Sequence, residues 1–100
     1  MTATVFQIPA TAMVDFYTKD GRKALDEFAL SGHGYADIFK VPTELTGRAA
    51  AEDMFDLSNN PSRDDQRAAL WGAHRSLSVG DVVFDGAESW LCLPMGWTKV

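Results

Sequence analysis

The sequence predicts an α+β fold: a small antiparallel sheet of about five strands with a C-terminal β-meander, packed against two short helices. Three observations predict it. Residues 22–30 and 47–57 repeat apolar side chains at helical spacing, while residues 5–8 and 35–41 are rich in strand formers. From Ser78 onward, short apolar runs are separated by Val79-Gly80-Asp81, Asp85-Gly86 and Pro94-Met95-Gly96, the pattern of consecutive antiparallel strands. The 100 residues, 46% hydrophobic and 11% aromatic, suffice for one domain around one modest core.

Each element has a local reason. Val5-Phe6-Gln7-Ile8 stops at Pro9, which suits an edge or first strand. Asp20-Gly21 precedes a helix over residues 22–30, in which Leu25, Phe28 and Ala29 recur, and Ser31-Gly32 and Gly34 close it. His33, between two glycines, suits a turn. Residues 35–41 alternate up to Pro42 as a strand does, with Phe39 and Val41 facing inward. The second helix spans residues 47–57, with Thr46 as N-cap and Ala50, Met54 and Leu57 at i, i+4 and i+7. Met54, Phe55 and Leu57 are expected against one sheet face; the other face is expected to meet solvent or a partner. Asn59-Asn60-Pro61 ends this helix. Residues 62–73 fit a short helix or an ordered loop equally well.

Charge and composition exclude several functions. Net charge is −5, from nine Lys and Arg against fourteen Asp and Glu, and the basic residues are scattered. Phosphate neutralisation needs them clustered, so direct nucleic-acid binding is not expected. One cysteine, Cys92, allows no internal disulfide; with only His33 and His74 beside it, a structural zinc site lacks ligands. No cofactor motif is present. No apolar run is long enough for a membrane helix, and the first residues lack the character of a signal peptide. A reducing bacterial cytoplasm is the expected location.

His74, Ser76, Ser78 and Asp81 contain the residue types of a hydrolase triad, but no Gly-x-Ser-x-Gly elbow accompanies them. Serines at the entry to a tight turn more commonly bond to backbone. Cys92, in mid-strand, reads as a small buried hydrophobe. Three tryptophans, Trp71, Trp90 and Trp97, fall within the last thirty residues. Core packing accounts for one or two, and an exposed tryptophan near arginine has the composition of an interaction hot spot. Trp71, in the irregular segment near Arg75, is the one expected at the surface, and Trp71, His74, Arg75 and Trp97 form the expected protein-binding surface.

The run His74-Arg75-Ser76-Leu77-Ser78-Val79-Gly80-Asp81-Val82-Val83, then Asp85-Gly86 and Pro94-Met95-Gly96-Trp97, resembles the C-terminal signature of YodL-type domains and related small proteins. These occur in bacteriophages and mobile elements, especially of actinobacteria, and as modules in large polyvalent phage proteins. The likeness covers about residues 35–100. Met95 departs from it, standing where the family usually has an aromatic, and residues 62–72 are long for its connecting loop. The resemblance implies a phage or mobile-element origin and brings no activity with it. It makes Ser76, Ser78, Gly80, Asp81, Asp85, Gly86 and Gly96 a structural signature.

The functional expectation is a non-catalytic accessory protein that binds a host or phage protein. An acidic DNA mimic of the anti-restriction type and a small hydrolase using His74 and Ser76 are the alternatives. Homodimer formation through strand edges at residues 5–8 or 98–100 is a further possibility.

Overall fold

The computed structural model describes residues 1–32 and 34–100, so the turn expected at His33 lies outside the described residues. Strands β1 (Thr2–Gln7), β2 (Asp37–Pro42), β3 (Val82–Phe84), β4 (Ser89–Cys92) and β5 (Trp97–Lys99) form one antiparallel sheet in the order β2-β1-β3-β4-β5. Helices α1 (Ala10–Thr18) and α2 (Gly21–Leu30) join β1 to β2. Helix α3 (Gly47–Asn59) and a helical connector then lead to β3. The class is the predicted α+β, and β3-β4-β5 is the predicted meander.

The layering differs from expectation. Side chains alternate along a strand, so Ala3 and Val5 of β1 enter a core with Ala51, Met54, Leu57, Trp71 and Leu77. Phe6 and the adjoining Ile8 enter a second core with Phe16, Ala24, Phe28 and Val79. The sheet therefore carries helices on both faces, where one face was expected to meet solvent or a partner. The missing element is α1. Its sequence, ATAMVDFYT, includes β-branched Thr11, Val14 and Thr18, Pro9 offers no side-chain cap, and Phe16 is its one fully buried residue. Weak propensity, no cap and no apolar stripe leave little local signal. Packing onto α2 and the sheet makes it a helix.

Three further expectations are corrected. Residues 5–8 are not an edge, because β1 pairs with both β2 and β3; the edges are β2 and β5. Phe55 is exposed while Met54 and Leu57 are buried, since it lies about 100° round the helix from Met54. Thr46 makes no side-chain cap bond to α3. Asp85 Oδ2 instead accepts from Gly47 N–H at 2.6 Å, and a carboxylate is the stronger partner for the positive end of a helix.

Residues 62–73, open between helix and loop, are mostly helical. A 3₁₀ turn at Pro61–Arg63, an α turn at Asp64–Gln66 and a π turn at Arg67–Trp71 follow one another, ending at Gly72. Asn60 Oδ1 accepts from Ser62 N–H to start the segment. Arg63 donates to Asp53 and Asp56, which ties it back to α3.

Candidate functional site

The signature segment is built around a buried carboxylate. Asp81 is fully buried, and its Oδ1 accepts from Ile8 N–H at 3.1 Å and from Arg75 at 2.9 Å. Oδ2 accepts from Ser78 N–H at 3.0 Å. Burial pushes the Asp81 carboxyl above its ordinary value, against the opposing pull of Arg75 and of the two backbone N–H groups. Arg75 also donates to the Ile8 carbonyl, and Gln7 Nε2 donates to the Arg75 carbonyl. One polar cluster thus locks the end of β1 to the segment entering β3.

Gly80 shapes the same turn. Asp81 N–H donates to Ser78 C=O, Gly80 N–H donates to Cys92 C=O, and Cys92 N–H donates to Asp81 C=O. Two residues, 80 and 81, oppose one on β4, which is a β-bulge whose first position favours glycine in the left-handed region. Gly80 has φ +92°, and a side-chain carbon there would collide with Ile8 and Phe16.

Ser76 Oγ donates to the Ser58 carbonyl at 2.7 Å and lies 3.4 Å from Arg67. The N–H of Ser78 goes to Asp81, and its hydroxyl lies 3.6 Å from Met13 Sδ. Asp85 Oδ1 accepts from Ala87 N–H and Glu88 N–H, and Asp85 N–H donates to Glu88 C=O. The hairpin loop proper is therefore Gly86-Ala87, one residue beyond the Asp85-Gly86 dipeptide that signals it. The N–H groups of Glu88 and then Ala87 hold the Asp85 carboxyl below its ordinary value. Among the described residues the buried Trp90 indole N–H has no acceptor in bonding geometry, and its pull is the last of the causes that lower the Asp85 carboxyl. Gly96 packs beside Arg48.

The four residues expected at a protein-binding surface do not form one exposed surface. Trp71 is 1% exposed, against the expectation of a surface tryptophan. Its indole N–H donates to the carbonyls of His74 and Arg75, and Phe39 packs edge-on at 4.9 Å. The π turn and the φ reversal at Gly72 swing this ring inward. His74 stacks on Phe39 at 3.6 Å, with Nδ1 2.5 Å from Asp37 Oδ2 on β2. A carboxylate oxygen only accepts, which puts the proton on Nδ1. Arg75 is committed to Asp81. Trp97 lies on β5, at the opposite sheet edge from β2.

Nor does any hydrogen bond among the described residues join His74 to Ser76: one is held by Asp37, the other by Ser58 and Arg67. Burial pushes the Cys92 thiol up to about 12. Among the described residues, no group of three or more His, Cys, Asp or Glu is placed to hold a metal ion. None of their helices is long and apolar enough to cross a membrane.

The surface that sequence reasoning missed lies between α1 and α2. A groove of about 550 Å³ runs there, with Ala12, Phe16, Ala24 and Phe28 in its wall and the carboxylates of Asp15 and Glu27 at its rim. That volume falls in the range of ligand pockets. On the outer side of the same two helices, Val14, Tyr17 and Leu30 are 60%, 56% and 86% exposed. Without α1 assigned as a helix, nothing in the sequence brings these residues together.

No family model, curated protein or solved structure matches this chain.

Proposed function

We propose that this chain is a non-catalytic accessory protein of the phage or mobile-element type, which acts in the bacterial cytoplasm by binding a host or phage protein. The observation that carries the reading is the outer surface of the α1–α2 layer. Val14, Tyr17 and Leu30 stand exposed on the two helices whose Phe16 and Phe28 wall the groove. Tyrosine is among the residue types enriched at interface hot spots, which pair with those of the partner. The phage-type setting rests on the signature from His74 to Val83.

The alternatives gain no support. A DNA mimic needs free carboxylates along one face; here Asp53 and Asp56 pair with Arg63, Glu52 with Arg48, Glu27 with Lys19 and Glu88 with Lys99. For a hydrolase, Ser76 is tied to a backbone carbonyl and His74 to a different partner.

Affinity capture from an actinobacterial host lysate tests the reading, with the wild type beside a Tyr17→Ser, Leu30→Ser double variant. A saturable protein partner held by the wild type and released by the variant is expected. A partner held equally by both refutes the surface, and no saturable partner refutes the binding role.

A further inference from the structure

The chain contains two Asp-Gly dipeptides, Asp20-Gly21 and Asp85-Gly86. Such a bond rearranges without an enzyme, because glycine has no side chain to shield its amide nitrogen. That nitrogen attacks the side-chain carboxyl carbon of the aspartate. A new N–C bond forms, the amide proton leaves to solvent, and a carboxyl oxygen departs as water, closing a cyclic imide. Water then reopens the ring. Opening at the main-chain carbonyl routes the backbone through the side chain. The product is an isoaspartate, whose main chain is longer by a methylene and which carries a free α-carboxylate. The step needs a carboxyl that takes up a proton and releases an oxygen, so whatever grips the carboxylate slows it.

The fold treats the two carboxylates differently. Asp85 is gripped at both oxygens. Its Oδ1 accepts from Ala87 N–H at 2.8 Å and from Glu88 N–H at 2.7 Å, and its Oδ2 accepts from Gly47 N–H at 2.6 Å. Loss of either oxygen strips an acceptor from the hairpin or from the start of α3. Hydrogen bonds to a charged group are the stronger kind, and here they hold the carboxyl below its ordinary value. Asp20 is exposed, and among the described residues its side chain accepts one bond, from Lys23 N–H to Oδ1 at 3.1 Å. Gly21 opens α2, where backbone N–H groups have no partner within the helix. Gly21 is itself held against Leu93, so the movement that closes the ring falls on Asp20 and the junction with α1.

We infer that folding silences Asp85-Gly86 and leaves Asp20-Gly21 as the modification site, where the native chain converts to isoaspartate. Conversion removes the side-chain cap of α2 and lengthens the junction between α1 and α2. Tyr17 and Leu30 stand exposed on those two helices, so the modified chain presents them at a changed spacing.

The test incubates the full chain at neutral pH in water enriched in heavy oxygen, both folded and in urea. Chymotrypsin digestion in ordinary water then releases fragments that carry residues 20–21 and 85–86. Isoaspartate separates from aspartate by chromatography and carries the heavy-oxygen label. In urea the two sites are expected to convert at comparable rates. In the folded chain Asp85 is expected to convert at least about tenfold more slowly than Asp20, the factor supplied by one extra hydrogen bond to a charged group. Asp20→Glu, an exposed change whose melting temperature confirms folding, is expected to abolish labelling of the folded chain, because glutamate closes a larger ring far more slowly. Equal conversion of the two sites in the folded chain overturns the inference. So does a folded chain in which Asp20 stays unmodified while it converts in urea, or isoaspartate that persists at another position in folded Asp20→Glu.

Discussion

Removing the Asp81 carboxylate strikes the point where most of the signature segment converges. Asp81→Ala leaves the Ile8 and Ser78 N–H groups without their acceptor and deprives Arg75 of its buried partner. An unsatisfied buried donor costs about 1–3 kcal/mol. The Ile8 bond is buried and belongs at the upper end; the Ser78 bond is partly buried and belongs at the lower. Arg75 is 36% exposed and recovers some hydration. Against these losses, the variant no longer pays for desolvating a carboxylate. The net is about 3 kcal/mol of destabilisation, near the lower edge of values for breaking a buried pair. In a domain of this size that lowers Tm by about 12–24 °C. Asp81→Asn keeps an acceptor for Ile8 and Arg75 but turns an amide N–H toward Ser78 N–H, so about half the loss is expected. Urea denaturation followed by far-UV circular dichroism measures both. A loss below about 1 kcal/mol for Asp81→Ala, or a larger loss for Asp81→Asn, would refute the reasoning.

Two carboxylates give opposite pH dependences. The Asp81 carboxyl is raised in the folded protein, so its contribution is fully present below the ordinary carboxylate value and is lost as pH rises through its folded value. The Asp85 carboxyl is lowered, so its contribution is present at neutral pH and is lost as pH falls through its folded value. Denaturation midpoints across the acid range should show Asp85→Asn flattening the decline on acidification, and Arg75→Met steepening the gain that comes from protonating Asp81. Gly80→Ala is expected to cost about 2–4 kcal/mol, from a strained φ and a collision with Ile8 and Phe16. Gly86→Ala, at φ +102° in open space, is expected to cost about 1–2 kcal/mol; equal losses in urea titrations would remove the steric argument. With its thiol pushed up to about 12, Cys92 should resist a thiolate-specific reagent at pH 8 in the folded chain and react on unfolding. Rapid native labelling would contradict its buried position.

Much of the sheet was legible because strands announce themselves locally. The alternation that places Phe39 and Val41 on one face needs only neighbours in sequence. The stop at Pro9 and the turn at Ser78 to Asp81 likewise rest on residues within reach of one another. Helices α2 and α3 were legible for the same reason: their buried faces repeat at helical spacing. The candidate site was not legible. Trp71, expected at the surface, is turned inward by a π turn that composition does not signal. The groove depends on α1, whose nine residues bury one large side chain and carry no cap.

The sequence by itself determined the α+β class, the strands, two helices and the C-terminal meander, because propensity and periodicity act between residues a few positions apart. Only the tertiary structure decided which strand lies inside the sheet, that both faces are covered, and that Asp85 caps a helix beginning 38 residues before it. It also decided that His74 to Asp81 is a locked structural clasp and that Val14, Tyr17 and Leu30 of α1 and α2 stand exposed. Periodicity says which face of an element is apolar. What that face meets depends on contacts between residues far apart in the chain, and those exist only once the layers have closed.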